Sequence, residues 1–243
     1  MPSLGIVGAA GRLGARIVAA AGRLGVPVVL HATRQAWTGP APDVLIDVST
    51  VDALPAVVEY CGEHRVALLS ATSGLTPQHR AALRRLSARI PVLRADNLSL
   101  GGYLHRTLTA GLAPIVATLA ADGLATAGIV DRHPAYKADR PSATALALRD
   151  RLTAGIAGAP EVTVDSIRAG VPVCEHDVRI ALGDEELVLH HAVRDWSAYS
   201  AMAVRAASWL ADRHGTAMYT MDDFYGWLLD VRPASVSARG GTF

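Results

Sequence analysis

The segment RHPAYKADRPSAT, residues 132–144, holds the single lysine of a 243-residue chain whose Lys and Arg together number 23. Lysine is a compact point charge that can release its proton, whereas arginine stays charged and presents a flat fork. Lys137 follows His133 by four residues and precedes Ser142-Ala143-Thr144. Ser142 and Thr144 fall where a helix opens, and there the unpaired backbone donors and the helix dipole favour an anion. A proton-transferring lysine beside an anion site is one reading of this spacing. A strand-end histidine bonded to backbone, followed by a Lys137–Asp139 surface ion pair worth under ~1 kcal/mol, is the other.

A second constellation lies at the N-terminus. Gly8, Gly11 and Gly14 give G-x-x-G-x-x-G between a short apolar run and a helical pattern. In the related G-x-G-x-x-G loop, one glycine permits a tight turn, one lets backbone approach a pyrophosphate, and one allows close helix–strand packing. A turn and a packing contact would explain the same glycines without a ligand. The next strand ends His31-Ala32-Thr33-Arg34, with no carboxylate to accept from a ribose 2′-hydroxyl. A hydroxyl followed by arginine suits a 2′-phosphate, which a guanidinium grips through two parallel bonds, so NADPH is expected over NADH, with NADH possible. Arg34 as a solvated loop residue is the bland alternative.

The elements needed to position these groups are legible. LGIVG, VPVVLHATR, DVLIDVST, VALLSATSG and PVLRADN read as strands, with helices between all but the second and third. Thr76 caps the helix that Pro77 begins. This alternation predicts an α/β fold, a Rossmann-type doubly wound parallel sheet. The pattern then changes. A helix over 103–121 leads to the strand ATAGIVDRH, a helix opened by Ser142 and running to about Ile156, a strand in EVTVDSIRAG, and a hairpin turning at GDEE. A second α+β domain is therefore expected over 102–197, after a dinucleotide-binding domain over 1–101, with 198–243 returning to the first. The last residues, SARGGTF, read as disordered.

Composition excludes several classes. A net charge of +1 with 19% charged residues lacks the basic excess of a nucleic-acid binder. Cys61 and Cys174 are too few for a disulfide framework or a metal knuckle. His190-His191 point to opposite faces of a strand, so no metal site is expected there. The longest uncharged apolar stretch, Thr107 to Ala121, falls short of the roughly 20 residues that span a bilayer. A cytoplasmic protein without membrane partners is the expectation.

Taken in order, several fragments resemble one family, the dihydrodipicolinate reductases. GAAGRLG resembles its Gly-Ala-x-Gly-Arg-Met-Gly loop, DVLIDVST its Asp-Val-x-Ile-Asp-Phe-Thr strand, and ATSG its Gly-Thr-Thr-Gly turn. ADNLSLG is similar to Ala-Asn-Phe-Ser-x-Gly, and HPAYKADRPSATAL to His-His-Arg-x-Lys-x-Asp-Ala-Pro-Ser-Gly-Thr-Ala-Leu. RAGVPVCEH and MDDF resemble the family's Arg-Ala-Gly-x-x-x-Gly-Glu-His and its closing Met-x-Asp-Val-Leu. The resemblance implies a substrate and oligomerisation domain, a homotetramer, and hydride transfer to a small cyclic imine or α,β-unsaturated carboxylate of lysine biosynthesis. It implies cofactor contacts at Gly8, Gly11, Arg12, Leu13 and Gly14 in the first loop, and at Ser49. Ala71, Thr72, Ser73 and Asn97 follow in the later motifs. It makes His133 the general acid, Lys137 the group that supplies or stabilises a proton, and Ser142, Ala143 and Thr144 the donors to a substrate carboxylate.

The chain also departs from the pattern. Pro134 and Ala135 stand where the family has histidine and arginine, Ala143 replaces a glycine, and Cys174 replaces the glycine before Glu-His. The segment QAWTGPAP is short, which trims the wall around an adenine and leaves Trp37 to cover it. A divergent relative reducing another imine, or a non-catalytic NADP(H)-binding regulator, are therefore the competing readings. Retention of His133 and the sole lysine argues against the regulator.

Overall fold

A computed structural model describes residues 1–153, 161–170 and 173–229. The described chain divides into two compact units, Met1–Asp96 with the residues from Ala203 onward, and Asn97–Met202. The expected helix end near Ile156 and the tail SARGGTF lie outside the described residues.

The first unit comprises β1 (Leu4–Val7), α1 (Arg12–Arg23), β2 (Val28–Ala32), β3 (Trp37–Thr38), β4 (Val44–Asp47), α2 (Leu54–His64), β5 (Ala67–Ser70), α3 (Pro77–Ser87) and β6 (Val92–Arg94). β1, β4 and β5 are buried at every position, as expected of central strands covered on both faces. Thr76 accepts from the His79 backbone N–H while the His79 ring accepts from the Thr76 N–H, so α3 opens on a capping box with Pro77 at its first position. Late in the chain, β11 (Met218–Thr220) pairs in parallel with β6, followed by α7 (Met221–Leu229). The resulting order is β11-β6-β5-β4-β1-β2-β3, parallel throughout except for β3. Two strands were not visible in the sequence: β3 has two residues and β11 three, too few for a period. β1 lies between β2 and β4, where the strand order reverses, and ligands of such sheets bind outside the carboxyl ends at that point.

The second unit begins with α4 (Leu100–Ala121), which starts three residues earlier than its apolar pattern suggests. Gly101 and Gly102 weaken the helical signal, but the Ser99 hydroxyl accepts from the Gly102 N–H and fixes the start there. Then come β7 (Ala125–His133), α5 (Ala143–Thr153), β8 (Val162–Arg168), β9 (Cys174–Leu182), β10 (Glu185–Val193) and α6 (Ser197–Ala211), the last running on into the first unit. The hairpin turns at Gly183-Asp184, because Glu185 already pairs with Leu182. GDEE is therefore half turn and half strand. The sheet order is β10-β9-β7-β8, with β7 and β8 parallel. Ala113 and Val116 of α4 and Ala145, Leu148 and Leu152 of α5 pack on Ala127, Ile129, Val162, Val178 and Ile180 of the sheet. Among the described residues, no helix is long and apolar enough to cross a membrane.

Candidate active site

In the first unit the glycine loop joins β1 to α1. Gly8 has φ +84°, and a Cβ there would stand 2.9 Å from the Val48 carbonyl oxygen. A Cβ on Gly14 would stand 2.1 Å from the Gly8 oxygen, so the helix touches the loop through bare backbone. Gly11 is the N-cap of α1, and no acidic residue occupies the first turn. A cavity of about 800 Å³ opens here, at the carboxyl ends of β1, β2 and β4. Gly8 and Gly11 line one part, Thr33, Arg34 and Trp37 another, and Ser49 and Asp52 a third. Trp37 is held by Tyr60, ring centroids 4.8 Å apart. Arg34 is exposed, while Thr33 accepts from the Gln35 and Ala36 N–H groups and shapes the turn.

The remaining expected cofactor residues are not part of this lining. Arg12, Leu13, Gly14, Ala71, Thr72 and Ser73 do not line the cavity, and Asn97 belongs to the second unit. Thr72 instead donates to Asp47 at 2.8 Å, and Ser49 donates to the other oxygen of that carboxylate. Asp47 is fully buried at the end of β4. Burial raises its pKa, with the bonds from Ser49 and Thr72 opposing. Nothing in the sequence pattern separated Asp47 from the apolar strand it ends.

In the second unit, β7 buries every second residue: Ala125, Ala127, Ile129, Asp131, His133. The stripe is apolar for three positions and polar for the last two. Sheet register then assembles the site. Ser166, Asp131, His176 and His191 lie directly opposite one another on β8, β7, β9 and β10, and Arg168 lies opposite His133. Asp131 is fully buried and accepts from the Ser166 hydroxyl and from the Ser142 N–H at 3.3 Å. Its Oδ2 is 3.1 Å from an Arg168 terminal nitrogen and 3.1 Å from His133 Nδ1. The carboxylate so placed favours the protonated imidazole.

These environments set the charges. Burial alone would raise the Asp131 pKa, but the bonds from Ser166, Arg168 and Ser142 outweigh it and keep the group ionised. Burial lowers the His133 pKa; Asp131 pulls the other way, and Lys137 and Arg168 add to the lowering. His176 falls to about 3 through burial and the neighbouring His133. His191 falls to about 4 through burial and His105. Lys137 donates to Asp139 at 2.8 Å and is partly exposed. Its charge is one of the causes that lower the His133 pKa.

Ser142 has a different part from the one expected. It is 2% exposed; its hydroxyl accepts from the Ala145 N–H and contacts His176 Nε2 at 3.3 Å, while its own N–H goes to Asp131. Ser142 therefore caps α5 and ties it to the buried carboxylate. Ala143, exposed, and Thr144, half-buried, occupy the open start of the helix. The sequence alone assigns no role to Asp131, Ser166, Arg168 or His176. Asp131 carries a usable signal, since it interrupts an apolar alternation two residues before His133. Asp131, His133 and His176 bring one potential metal-ligating atom each within 4.8 Å of one another. The Arg168 guanidinium and the Lys137 ammonium beside them oppose a cation.

Comparison with known proteins agrees with this architecture. Residues 19–98 match the family model for the dihydrodipicolinate reductase N-terminus, and residues 107–225 that for its C-terminus. The 4-hydroxy-tetrahydrodipicolinate reductase of Rickettsia peacockii is 30% identical over 196 residues, covering 75% of this chain and 79% of that protein. The protein of the same name from Alkalilimnicola ehrlichii is 32% identical over 204 residues, covering 76% and 74%. A dipicolinate-bound dihydrodipicolinate reductase from Paenisporosarcina sp. TG-14 shares the fold, with a TM-score of 0.69 at 15% identity over 90% of this chain and 97% of that one. Fold and relatives together define an oxidoreductase with a Rossmann-type unit and an α+β unit. The chain belongs to the dihydrodipicolinate reductase family.

Proposed function

We propose that this chain reduces a small cyclic imine or α,β-unsaturated carboxylate of lysine biosynthesis, with NADPH preferred to NADH. The observation that carries the reading is the cavity at the reversal of strand order, lined by Gly8 and Gly11 and walled by Thr33 and Arg34. A dinucleotide fits these residues: backbone without side chains faces the phosphates, and the first turn of α1 carries no carboxylate to repel them. Arg34 would take the 2′-phosphate and Trp37 the adenine face. Asp52 on the same cavity is the group that would favour NADH.

The nicotinamide supplies the hydride when bound. The chain's own part is to hold the substrate and to deliver a proton to the other atom of the reduced double bond. His133 does the second. Its lowered pKa makes it a stronger acid than free imidazole, and the carboxylates of an arriving substrate raise its affinity for the proton. Lys137 stabilises the negative charge that develops, and the open start of α5 at Ala143 and Thr144 holds a carboxylate. Pro134 and Ala135 remove two polar groups from this surface, which favours a second reading, a relative that reduces a different imine. A homotetramer is part of the proposal. It is supported by Ile167 on β8, an apolar side chain of the second unit's sheet that is 46% exposed.

The test follows NADPH oxidation with 4-hydroxy-tetrahydrodipicolinate and with other cyclic imines. His133→Gln is expected to lower kcat by ~100-fold or more while leaving NADPH affinity unchanged. Turnover undiminished in that variant would remove the acid assignment. NADPH binding without turnover of any imine would leave the regulator.

A further inference from the structure

The buried pair Asp131–Arg168 serves no step described so far, and its cost calls for a reason. Replacing such a pair by apolar residues is often neutral or stabilising, and the stripe it interrupts is otherwise Ala125, Ala127 and Ile129. We propose that Asp131 and Arg168 are positioning residues for proton delivery: Asp131 fixes the imidazole of His133, and Arg168 braces the loop carrying Lys137 against the same strand. The proposal rests on the reading of His133 as the acid.

The geometry links both catalytic candidates through one guanidinium. The Arg168 side chain is 1% exposed. One of its terminal nitrogens lies 3.1 Å from Asp131 Oδ2 and also donates to the backbone carbonyl of Asp139. Asp139 in turn accepts from Lys137 at 2.8 Å. The strand position two before His133 is thus tied to the loop position two after Lys137. Asp131 carries the link onward to α5 through the Ser142 N–H. A single carboxylate therefore sets the imidazole and the helix start against each other. Among the described residues, His176 Nδ1 and Arg168 Nε are buried without hydrogen-bond partners.

The charged and titratable groups facing His133 are Asp131 on its own strand, Lys137 on the following loop, Arg168 on β8 and His176 on β9, with His191 and His105 acting on His176. Of these, Asp131 pulls the imidazole toward protonation, while Lys137 and Arg168 oppose it. Removing the carboxylate therefore makes His133 harder to protonate, and the decline of kcat with rising pH sets in earlier.

The test follows the His133 ring by NMR through a pH titration of the full chain, in the parent, in Asp131→Asn and in Asp131→Asn/Arg168→Gln. The double variant leaves no unpaired buried cation and serves if the single one does not fold. Asp131 acts on His133 more strongly than Arg168 does, so the midpoint is expected to move to lower pH in both. A loss of about tenfold in kcat at pH 7, with the KM for NADPH unchanged, accompanies it. Asp131→Glu, which keeps the charge, returns the midpoint toward the parent. Amide exchange over residues 135–140 rises in the double variant. An unmoved His133 midpoint in both variants overturns the positioning of the acid, and unchanged exchange overturns the bracing of the loop. Because the titration needs no substrate, its failure is distinct from that of the acid assignment, which the His133→Gln turnover decides.

Discussion

Acidification from pH 7 to pH 5 should selectively weaken the second unit, because its buried histidines are held neutral. His176 is lowered from 6.5 to about 3 by burial and by His133. In the unfolded chain it would gain a proton near pH 6.5, whereas in the folded chain it would not until far lower. A histidine lowered on folding has its full stability above the unfolded value and loses it as pH falls toward the folded value. The loss here runs from about pH 6.5 to about 3, at ~1.4 kcal/mol per pH unit for each proton. Between pH 7 and 5 this amounts to ~2 kcal/mol for His176. His191, lowered to about 4 but partly exposed, adds a smaller amount, and His105 and His133 act in the same direction. Asp131, lowered on folding, keeps its contribution until pH falls below the ordinary carboxylate range. Asp47, raised on folding, works in the opposite sense but belongs to the first unit. The assay is hydrogen exchange of the β9 amides, corrected for intrinsic rates, which reports the second unit alone. Protection is expected to fall by roughly 30-fold between pH 7 and 5, and by clearly less in His176→Asn. Equal protection at the two pH values, or an equal fall in that variant, would refute the reasoning.

Two further outcomes follow from the first unit. Arg34→Ala should weaken binding of 2′,5′-ADP about tenfold and leave 5′-AMP unaffected by calorimetry, since an exposed charge-assisted bond sits at the low end of ~1.5–3 kcal/mol. Gly14→Ala should lower the Tm by several degrees, because its methyl would stand 2.1 Å from the Gly8 oxygen and such overpacking costs ~1–3 kcal/mol. A Tm equal to the parent's would mean that the close contact of α1 with the loop is not needed.

The alternating strands and helices of the first unit were legible because central strands, buried on both faces, are unbroken apolar runs. The Thr76-Pro77 start was legible because a cap and a rigid φ are local properties. β3 and β11 were not, since two or three residues form a strand only when a neighbouring edge supplies the bonds. His133, Lys137 and Ser142 lie within ten residues, and their types alone drew attention to them. Ser166, Arg168 and His176 join them through strand register, which depends on which strands become neighbours. A single sequence does not encode that locally. Ser142 shows the same limit in reverse: its position at a helix start was readable, but its use as a cap tied to Asp131 depends on a carboxylate eleven residues away.

The placement of β11 against β6 bears on the order in which the polypeptide takes shape. During synthesis, one flank of the parallel sheet stays without its outermost neighbour until Thr220 has left the ribosome, while every described strand of the second unit has already emerged. A truncated product ending near residue 200 would therefore carry a complete four-stranded sheet together with an open strand at Val92–Arg94, a ready template for self-association.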